Sequence, residues 1–455
     1  MISYKRWGQT TETRRTHRAR KISIISALCV AVWLLVMLAG CGASSATSQW
    51  PEAAPSRNAA IAGQPITLRV WMAADYAGQP PILDLVADFQ KAYPNVKIEL
   101  TGYTWEDMPS KVRLAISQGA PPDVAHQHPF VMGAQNMAEP LDDLWRQWGA
   151  ADQFMPGAMD DSTWQGVRYG VPLDINALFM IYNKAAFAQA GLAAPGPGYT
   201  FAQLRGDLEK LTAPDHSRYG MALSASGWDM YGLLRGNGGE LSQERGGKLT
   251  TSLDDPRVVE TVRFFADVGR RQLGTLPPLQ PRQSDHPVAL FSQRKVALFF
   301  SGPWDIARLK QEAPPDVYAE VGTALLPVRR AGAPSASVQG GGGLFVPKGA
   351  AHREAAFEFM KWAVSDRYAL RLAKEMGRYP VRSALYDDPY FKSEPLLAPF
   401  LEQLKTARPY KLEAYAGVHQ LWEDAIRAAY APDADVAAIL HDAQQRAQRV
   451  IEGGQ

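Results

Sequence analysis

The segment from residue 65 to residue 100 alternates between a strand pattern and a helix pattern. Residues 65–71 (PITLRVW) alternate apolar and polar side chains and are rich in β-branched residues, which is typical of a strand. Apolar side chains then recur at helical spacing from Ile82 to Tyr93, Pro94 ends that helix, and residues 96–100 alternate again. Because a helix between two strands allows them to pair in parallel, the segment predicts an α/β fold with a parallel sheet.

The same alternation continues along the rest of the chain. We predict helices at 105–118, 184–190, 258–268, 354–364 and 421–430, and strands at 124 onward, 171–183, 296–300 and 344–346. We find no internal repeat. A length of 455 residues with 21% charged residues indicates a globular protein of two or three domains.

The first forty residues have the pattern of an export signal. Seven basic residues and one acidic residue precede an uncharged apolar run from Ile22 to Ala39, as in a secretory signal peptide. The tetrapeptide Leu38-Ala39-Gly40-Cys41 resembles the lipobox of bacterial lipoproteins. That resemblance implies a signal peptide over 1–40, a lipidated Cys41 and a protein anchored to the outer face of the cell membrane or in the periplasm. A retained transmembrane anchor is the alternative, because 18 apolar residues nearly span a bilayer.

Loss of residues 1–40 changes the charge of the chain. It leaves 41 basic and 45 acidic residues, a net charge of about −4 in place of the formal +2. A protein of that sign offers no general electrostatic attraction to DNA or RNA. Cys29 is also removed, so the mature chain contains no disulfide even though export permits one. Residues 41–65 are rich in Ala, Ser and Pro, which predicts a flexible tether.

Several sequence motifs occur in an order that resembles a known family. They include FQKAYPNV (89–96), AISQGAPPDV (115–124), YGVPLDINALFMIYNK (169–184), FSQRKVALFFSGPW (291–304), VPKG (346–349) and YPVR (379–382). In this order they resemble the extracellular solute-binding proteins of ABC importers, specifically the maltose-binding-like group that binds sugars. The resemblance covers residues 66 to about 450.

The resemblance implies a two-lobe, periplasmic-binding-protein-like α/β fold with the ligand in a cleft between the lobes. The first lobe would comprise 66–172 and 328–368, and the second 176–320 and 375–455. The protein would be a monomer without cofactor or metal that binds a mono- or oligosaccharide and delivers it to the ABC permease. A glycerol-phosphate-type ligand is an alternative within the family.

An exported hydrolase is a less favoured alternative. The paired acids Asp142-Asp143 and Asp160-Asp161 are the candidates for such chemistry. Adjacent side chains point in different directions, however, and the chain has no zinc-protease or serine-hydrolase motif. We therefore expect a binding protein and not an enzyme.

The resemblance also indicates which aromatic residues bind the ligand. Sugars have apolar C–H faces, which stack on aromatic rings. Trp304 follows Ser301-Gly302-Pro303 at the start of a helix, and Trp228 follows Ser226-Gly227 in a polar loop. The family places a stacking aromatic at both points, whereas each could instead be a packing residue.

Polar candidates lie at the predicted ends of strands. Asp75 and Tyr76 follow the first strand on a loop, and Asp174 lies at the first crossing between lobes, where the alternative is a turn-forming Asp. Arg378 could form paired hydrogen bonds to hydroxyl groups.

Two histidines and a glycine run complete the set of candidates. His126 and His128 lie on the loop after the 124 strand, where simple exposure is the alternative. Gly341 and Gly342 belong to a run of four glycines before the strand at 344–346. Glycines allow the backbone to approach a ligand closely, and close packing is the alternative.

Overall fold

The computed structural model describes residues 61, 63–245, 248–276 and 283–453. The predicted signal peptide, the predicted lipidation site Cys41 and tether residues 41–60 lie outside the described residues. Within those ranges, no helix combines the length and the apolar character needed to cross a bilayer.

Fifteen strands occur in the described part of the chain. In order they are β1 (Ile66–Ala73), β2 (Val96–Tyr103), β3 (Val124–Gln127), β4 (Thr163–Trp164), β5 (Val167–Arg168), β6 (Gly170–Ala177), β7 (Phe179–Asn183), β8 (Tyr219–Ala222), β9 (Ser242–Arg245), β10 (Lys248–Thr251), β11 (Gly274–Thr275), β12 (Val296–Ser301), β13 (Val321–Ala324), β14 (Val338–Phe345) and β15 (Arg408–Pro409). The first large sheet has the order β15-β14-β3-β1-β2, with β6 also paired to β14, and the second has the order β11-β8-β12-β7-β13.

Helices cover both sheets. They are α1 (Ala74–Ala77), α2 (Pro80–Ala92), α3 (Met108–Ser117), α4 (Pro129–Ala134), α5 (Asp142–Trp148), α6 (Pro156–Asp161), α7 (Lys184–Gln189), α8 (Phe201–Leu211), α9 (Gly227–Gly236), α10 (Pro256–Arg270), α11 (Pro287–Ser292), α12 (Pro303–Glu312), α13 (Pro315–Ala319), α14 (Arg353–Ala363), α15 (Asp366–Met376), α16 (Pro389–Ser393), α17 (Ala398–Leu404), α18 (Ala416–Ala429) and α19 (Val436–Glu452). A short 3₁₀ turn, Lys411–Ala414, precedes α18.

The predicted parallel β-α-β unit is confirmed. β1 pairs in parallel with β2, from Ile66 opposite Val96 to Ala73 opposite Tyr103. α2 connects the two strands and buries its apolar face, including Leu85 and Phe89. On its other side, β1 pairs with β3 over two residues, and this pairing is also parallel. The carboxyl ends of these strands therefore lie at one edge of the sheet, where α/β proteins place their ligands.

Each large sheet has its own apolar core. The first core contains Phe89, Trp145 and Phe359, all almost fully buried, and Trp362. The second contains Phe265 and Trp422 among its buried side chains, with residues from α8, α10, α18 and α19. Burial of this apolar surface is the main term that stabilises each lobe.

One passage of the chain between the two sheets runs through the strands β6 and β7. We predicted a single strand over 171–183, and this prediction is wrong. β6 pairs with β14 in the first sheet, whereas β7 lies between β12 and β13 in the second, with only Leu178 between them. Every residue of β6 and β7 is buried, so no change in the pattern of buried and exposed positions marks the break between the two strands.

The four glycines lie inside β14, not before it as we predicted. β14 pairs antiparallel with β6, and the register shifts between Gly342 and Gly343. Gly341 has φ +112°, and a Cβ at this position would lie 2.2 Å from the carbonyl oxygen of Asp174. Only glycine fits such a backbone conformation and so close an approach.

We expect Gly341→Ala to destabilise the protein by more than about 2 kcal/mol, because it adds both φ strain and a backbone clash. Urea unfolding of the full-length protein measures this change. Gly206→Ala is the matched control, since Gly206 lies in α8 with no atom within 4 Å of the added Cβ. Equal stabilities of the two variants would contradict this account of β14.

Candidate ligand-binding site

Arg378 contacts three of the other residues predicted to bind the ligand. It follows Gly377, which caps the end of α15 in the left-handed conformation. Its guanidinium donates a hydrogen bond from Nη2 to Asp75 Oδ2 at 2.5 Å. The guanidinium carbon lies 4.9 Å from the ring centre of Tyr76 and 5.3 Å from that of Trp304. Since Asp75 and Tyr76 follow β1 and Trp304 follows β12, Arg378 contacts elements of both large sheets.

The residues after β1 form the short helix α1, not the loop that we predicted. Tyr76 is buried there, whereas Asp75 is exposed. The Tyr76 ring packs edge-to-face on His126, with ring centres 4.6 Å apart. His126 lies inside β3, not after it as predicted, and is fully buried, not exposed. The parallel pairing of β1 with β3 brings these two side chains together.

Asp174 lies in the middle of β6, so it does not form a turn. It is buried, and its Oδ2 atom accepts a hydrogen bond from Asn176 Nδ2 at 2.6 Å. Its Oδ1 atom has no hydrogen-bond partner among the described residues. Burial raises the pKa of this carboxyl to about 6, against the opposing effects of the Arg378 charge and the Tyr76 hydroxyl. Asp174 therefore provides a buried acceptor in the site.

The imidazole of His126 is neutral at physiological pH. Burial, together with the charges of Arg378 and His128, lowers its pKa to about 3. Neither ring nitrogen has a hydrogen-bond partner among the described residues. A neutral imidazole has one donor and one acceptor, which a hydroxyl group can satisfy together.

The two predicted tryptophans lie next to each other. Trp304 and Trp228 are each the second residue of a helix, in α12 and α9, and both are half-buried. Their ring centres are 6.3 Å apart and the ring planes are inclined by 46°. A Cβ at Gly340 would lie 2.6 Å from the Trp228 ring. The second lobe thus presents two partly exposed aromatic rings opposite the glycine strand.

Among the described residues, nine of the ten predicted ligand-binding residues form one group that is linked by direct contacts. Gly341 contacts the Asp174 backbone, and Gly342 lies beside His126. His128 is different, because Asp161 Oδ1 lies 2.7 Å from its Nδ1 and Glu413 Oε2 lies 3.8 Å from its Nε2. Burial opposes its ionisation, but Asp161 and Glu413 raise its pKa to about 9. His128 is therefore an imidazolium held by two carboxyl groups, and it is neither exposed nor free for a hydroxyl.

Trp105 belongs to this group, although the sequence analysis did not select it. We predicted that it began a helix, but α3 begins only at Met108. Its ring packs edge-to-face on His126 and on His128, each at 5.2 Å, and it lies beside Gly342. Its position just after the carboxyl end of β2 was the signal that could have identified it.

The hydrolase candidates have other partners. Asp143 forms an ion pair with Arg353, and Asp142 accepts a hydrogen bond from the Arg168 backbone. Asp160 pairs with Lys411 and Asp161 with His128. In the part of the chain that the structure describes, no three His, Cys, Asp or Glu side chains are arranged to hold a metal ion.

Two α/β lobes with a buried, mixed polar and aromatic site define a two-lobe binding protein. Residues 73–370 match the family described as bacterial extracellular solute-binding protein. The chain belongs to this family.

Known relatives are similar over most of the chain. The diacetylchitobiose binding protein DasA of Streptomyces coelicolor is 26% identical over 370 residues, 80% of this chain and 83% of the relative. The maltotriose-binding protein of Pyrococcus abyssi is 23% identical over 359 residues, 76% and 74% of the two chains.

Two solved structures have the same fold. The GacH receptor of Streptomyces glaucescens has a TM-score of 0.75 at 21% identity, covering 86% of this chain and 100% of that one. UgpB of Mycobacterium tuberculosis in complex with glycerophosphocholine has a TM-score of 0.73 at 21% identity, covering 85% and 98%. The two-lobe α/β prediction is thereby confirmed.

We expect Asp174→Asn to change how stability depends on pH. The folded-state pKa of Asp174 is about 6 and the ordinary value is 3.8, so its ionisation destabilises the fold as pH rises through this range. The free energy of unfolding of the variant, relative to the wild type, should increase by up to about 3 kcal/mol between about pH 4 and pH 7.

Urea unfolding of the full-length protein at a series of pH values tests this. Asp152→Asn, at an exposed position, serves as the control for the same chemical change outside the site. A difference between Asp174→Asn and wild type that stays constant with pH would contradict the assignment.

Proposed function

We propose that this protein binds a mono- or oligosaccharide between its lobes and delivers it to an ABC permease. Two observations together carry the proposal: buried polar atoms of Asp174, His126 and Arg378 have no hydrogen-bond partner among the described residues, and two tryptophan rings are half-buried. Sugars offer both hydroxyl groups and apolar faces, so they satisfy both kinds of surface together. Relatives named for maltotriose and diacetylchitobiose binding support the same class of ligand.

The ligand that we propose is neutral. A glycerol-phosphate-type ligand is the second candidate, favoured by the similarity to UgpB in complex with glycerophosphocholine. A phosphate would need a free cation, but the Arg378 guanidinium already pairs with Asp75. The buried Asp174 carboxyl nearby would further repel an anion when ionised. The charges of the site therefore favour an uncharged sugar.

The further proposals concern the state of the protein in the cell. We propose a monomer that is exported by the signal at 1–40 and anchored by a lipid on Cys41. Its lobes would comprise 66–172 with 328–368 and 176–320 with 375–455, and they would close on the ligand. We also propose that it does not turn its ligand over, as expected for a family of binding proteins.

Titration of the full-length protein with a panel of sugars, followed by tryptophan fluorescence, tests the ligand class. We expect at least one neutral sugar to bind with a Kd of roughly micromolar order, equal to about −8 kcal/mol. Trp304→Ala should weaken that binding at least about tenfold through loss of stacking. Trp148→Ala, in the separate cluster with Trp145 and Phe154, is the control and should keep the affinity.

Either of two results would overturn this proposal. One is a protein that binds none of the sugars. The other is a Trp304→Ala variant that is folded and retains the full affinity of the wild type.

Asp75→Asn tests why the site prefers a neutral ligand. Removal of the carboxylate leaves the Arg378 guanidinium without its ionic partner. We expect the ratio of glycerol 3-phosphate affinity to sugar affinity to rise at least about fivefold, measured by calorimetric titration. Asp316→Asn breaks a surface pair with Arg294 and should leave the ratio unchanged. A wild type that binds glycerol 3-phosphate more tightly than every sugar would favour the second candidate.

A further inference from the structure

A group of buried and half-buried ionisable residues lies beside the ligand site without being part of it. His128 stands at the start of α4, Asp161 ends α6, and Glu413 belongs to the turn Lys411–Ala414. The side chains of His128 and Asp161 are 8% and 10% exposed and that of Glu413 is 19% exposed. One imidazolium therefore lies between two carboxyl groups from parts of the chain that are far apart in sequence.

The turn that carries Glu413 contacts the cores of both lobes. Tyr410 and Leu412 are buried in the second core. Ala414, in contrast, is buried in a small cluster with Phe130 and other residues around α4. β15, just before the turn, pairs with β14 in the first sheet. The turn is therefore placed to connect the two lobes.

Further contacts join this turn to the first lobe. Lys411 Nζ donates to the carbonyl oxygen of Asp160 at 2.6 Å and lies 4.2 Å from the ring centre of Phe130. Tyr415 packs edge-to-face on Trp164, with ring centres 5.5 Å apart. We call residues 411–415 the clasp. Lys411 and Glu413 supply its two charged contacts, to α6 and α4.

The clasp is linked to the ligand site through one aromatic ring. His128 packs on Trp105, and Trp105 packs in turn on His126. The side chain of Gln127, between the two histidines, donates to the Trp105 carbonyl oxygen at 3.0 Å and accepts from the His128 backbone at 3.0 Å. A shift of His128 would therefore move residues that touch the predicted ligand-binding group.

We propose that His128 is a positioning residue. By bridging Asp161 and Glu413 it fastens the clasp, which is rooted in the second lobe, to α4 and α6 of the first lobe. It thereby sets ligand affinity without contacting the ligand. This inference rests on the proposed function for its affinity readout, whereas the attachment of the clasp can be measured without any ligand.

The charges around the clasp make its attachment to the first lobe depend on pH. Burial raises the pKa of Glu413 to about 7, with Asp161 and Glu423 adding to the effect and His128 opposing it. His128, which also faces His126 and Asp174, has a pKa of about 9. Both partners are charged between these two values. Below about pH 7 Glu413 takes up a proton, and its ionic attraction to His128 is lost.

Glu413→Gln removes this charge with little change of shape. In the wild type we expect sugar affinity to fall about fivefold from about pH 8 to pH 6. At about pH 8 the variant should bind about fivefold more weakly than wild type, and its own fall to pH 6 should be clearly smaller. Asp174 is retained in both proteins, so the difference between the two pH profiles isolates Glu413. Glu402→Gln, which breaks the exposed pair with Lys405, is the matched control.

Two further variants keep the proposal falsifiable. Lys411→Met should weaken binding at both pH values but keep the pH dependence, because it leaves Glu413 and His128 in place. His128→Gln should abolish the effect of a second Glu413→Gln substitution on affinity, since the two residues act as a pair. Additive effects of the two substitutions would overturn the proposal.

Hydrogen–deuterium exchange of the full-length protein gives the readout that needs no ligand. We expect amides of 408–415 and of α4 to exchange at least about threefold faster in Glu413→Gln than in wild type, with Glu402→Gln unchanged. Unchanged exchange together with a wild-type pH profile would refute the clasp. If no sugar binds to the wild type, the proposed function fails, and the exchange result alone decides whether the clasp exists.

Discussion

The antiparallel pairing of β6 with β14 is the constraint on which the remaining structure depends. It brings a glycine strand so close to β6 that a Cβ at Gly341 would overlap the Asp174 carbonyl oxygen. Beyond Ala177, the chain passes after a single residue into β7 and the second sheet. The pair therefore joins the two lobes and holds Asp174 between them. A side chain at Gly341 would push the strands apart, and side chains at Gly340 and Gly342 would fill the space that Trp228, Trp105 and His126 now occupy.

The charge balance around Arg378 explains how a mostly buried cation is tolerated in this position. An unpaired charge taken out of water costs several kcal/mol. Asp75 supplies a carboxylate, and the faces of Tyr76 and Trp304 lie at distances suited to cation–π attraction. The Nε atom of Arg378 forms no hydrogen bond within the part of the chain that the structure describes. Arg378 can thus bind a hydroxyl while its charge is already compensated, which suits a neutral ligand better than an anion.

The parallel order of β1 and β2 was readable from the sequence because it follows from short-range patterns. The β-α-β unit was predicted from alternation and helical spacing alone, whereas β1 and β2 extend to Ala73 and Tyr103, beyond their predicted ends. The break between β6 and β7 was not readable, because both strands are buried on both faces and no exposed position separates them. The glycines of β14 were excluded from the strand because propensity disfavours them, whereas a close backbone approach requires them.

Long-range charge pairing was the part of the site that the sequence could not show. His126 and His128 are two residues apart and looked equivalent. Among the described residues, His126 has no hydrogen-bond partner and lies against Tyr76 and Trp105. His128 lies between carboxyl groups 33 and 285 residues away in the chain. Nothing near His128 in the sequence indicates Glu413. The aromatic residues were easier to identify, because Trp228 and Trp304 begin helices next to glycine or proline, in segments that resemble those of the family.

The central claim is that the space bounded by Arg378, Asp174, Trp228 and Trp304 holds a sugar. A crystal structure of the full-length protein with the sugar that binds most tightly tests it most directly. The account predicts a sugar ring within about 5 Å of one of the two tryptophan rings. It also predicts a hydroxyl within hydrogen-bond distance of Asp174 Oδ1. A sugar bound away from both tryptophans, or one that leaves Asp174 and Arg378 untouched, would contradict it.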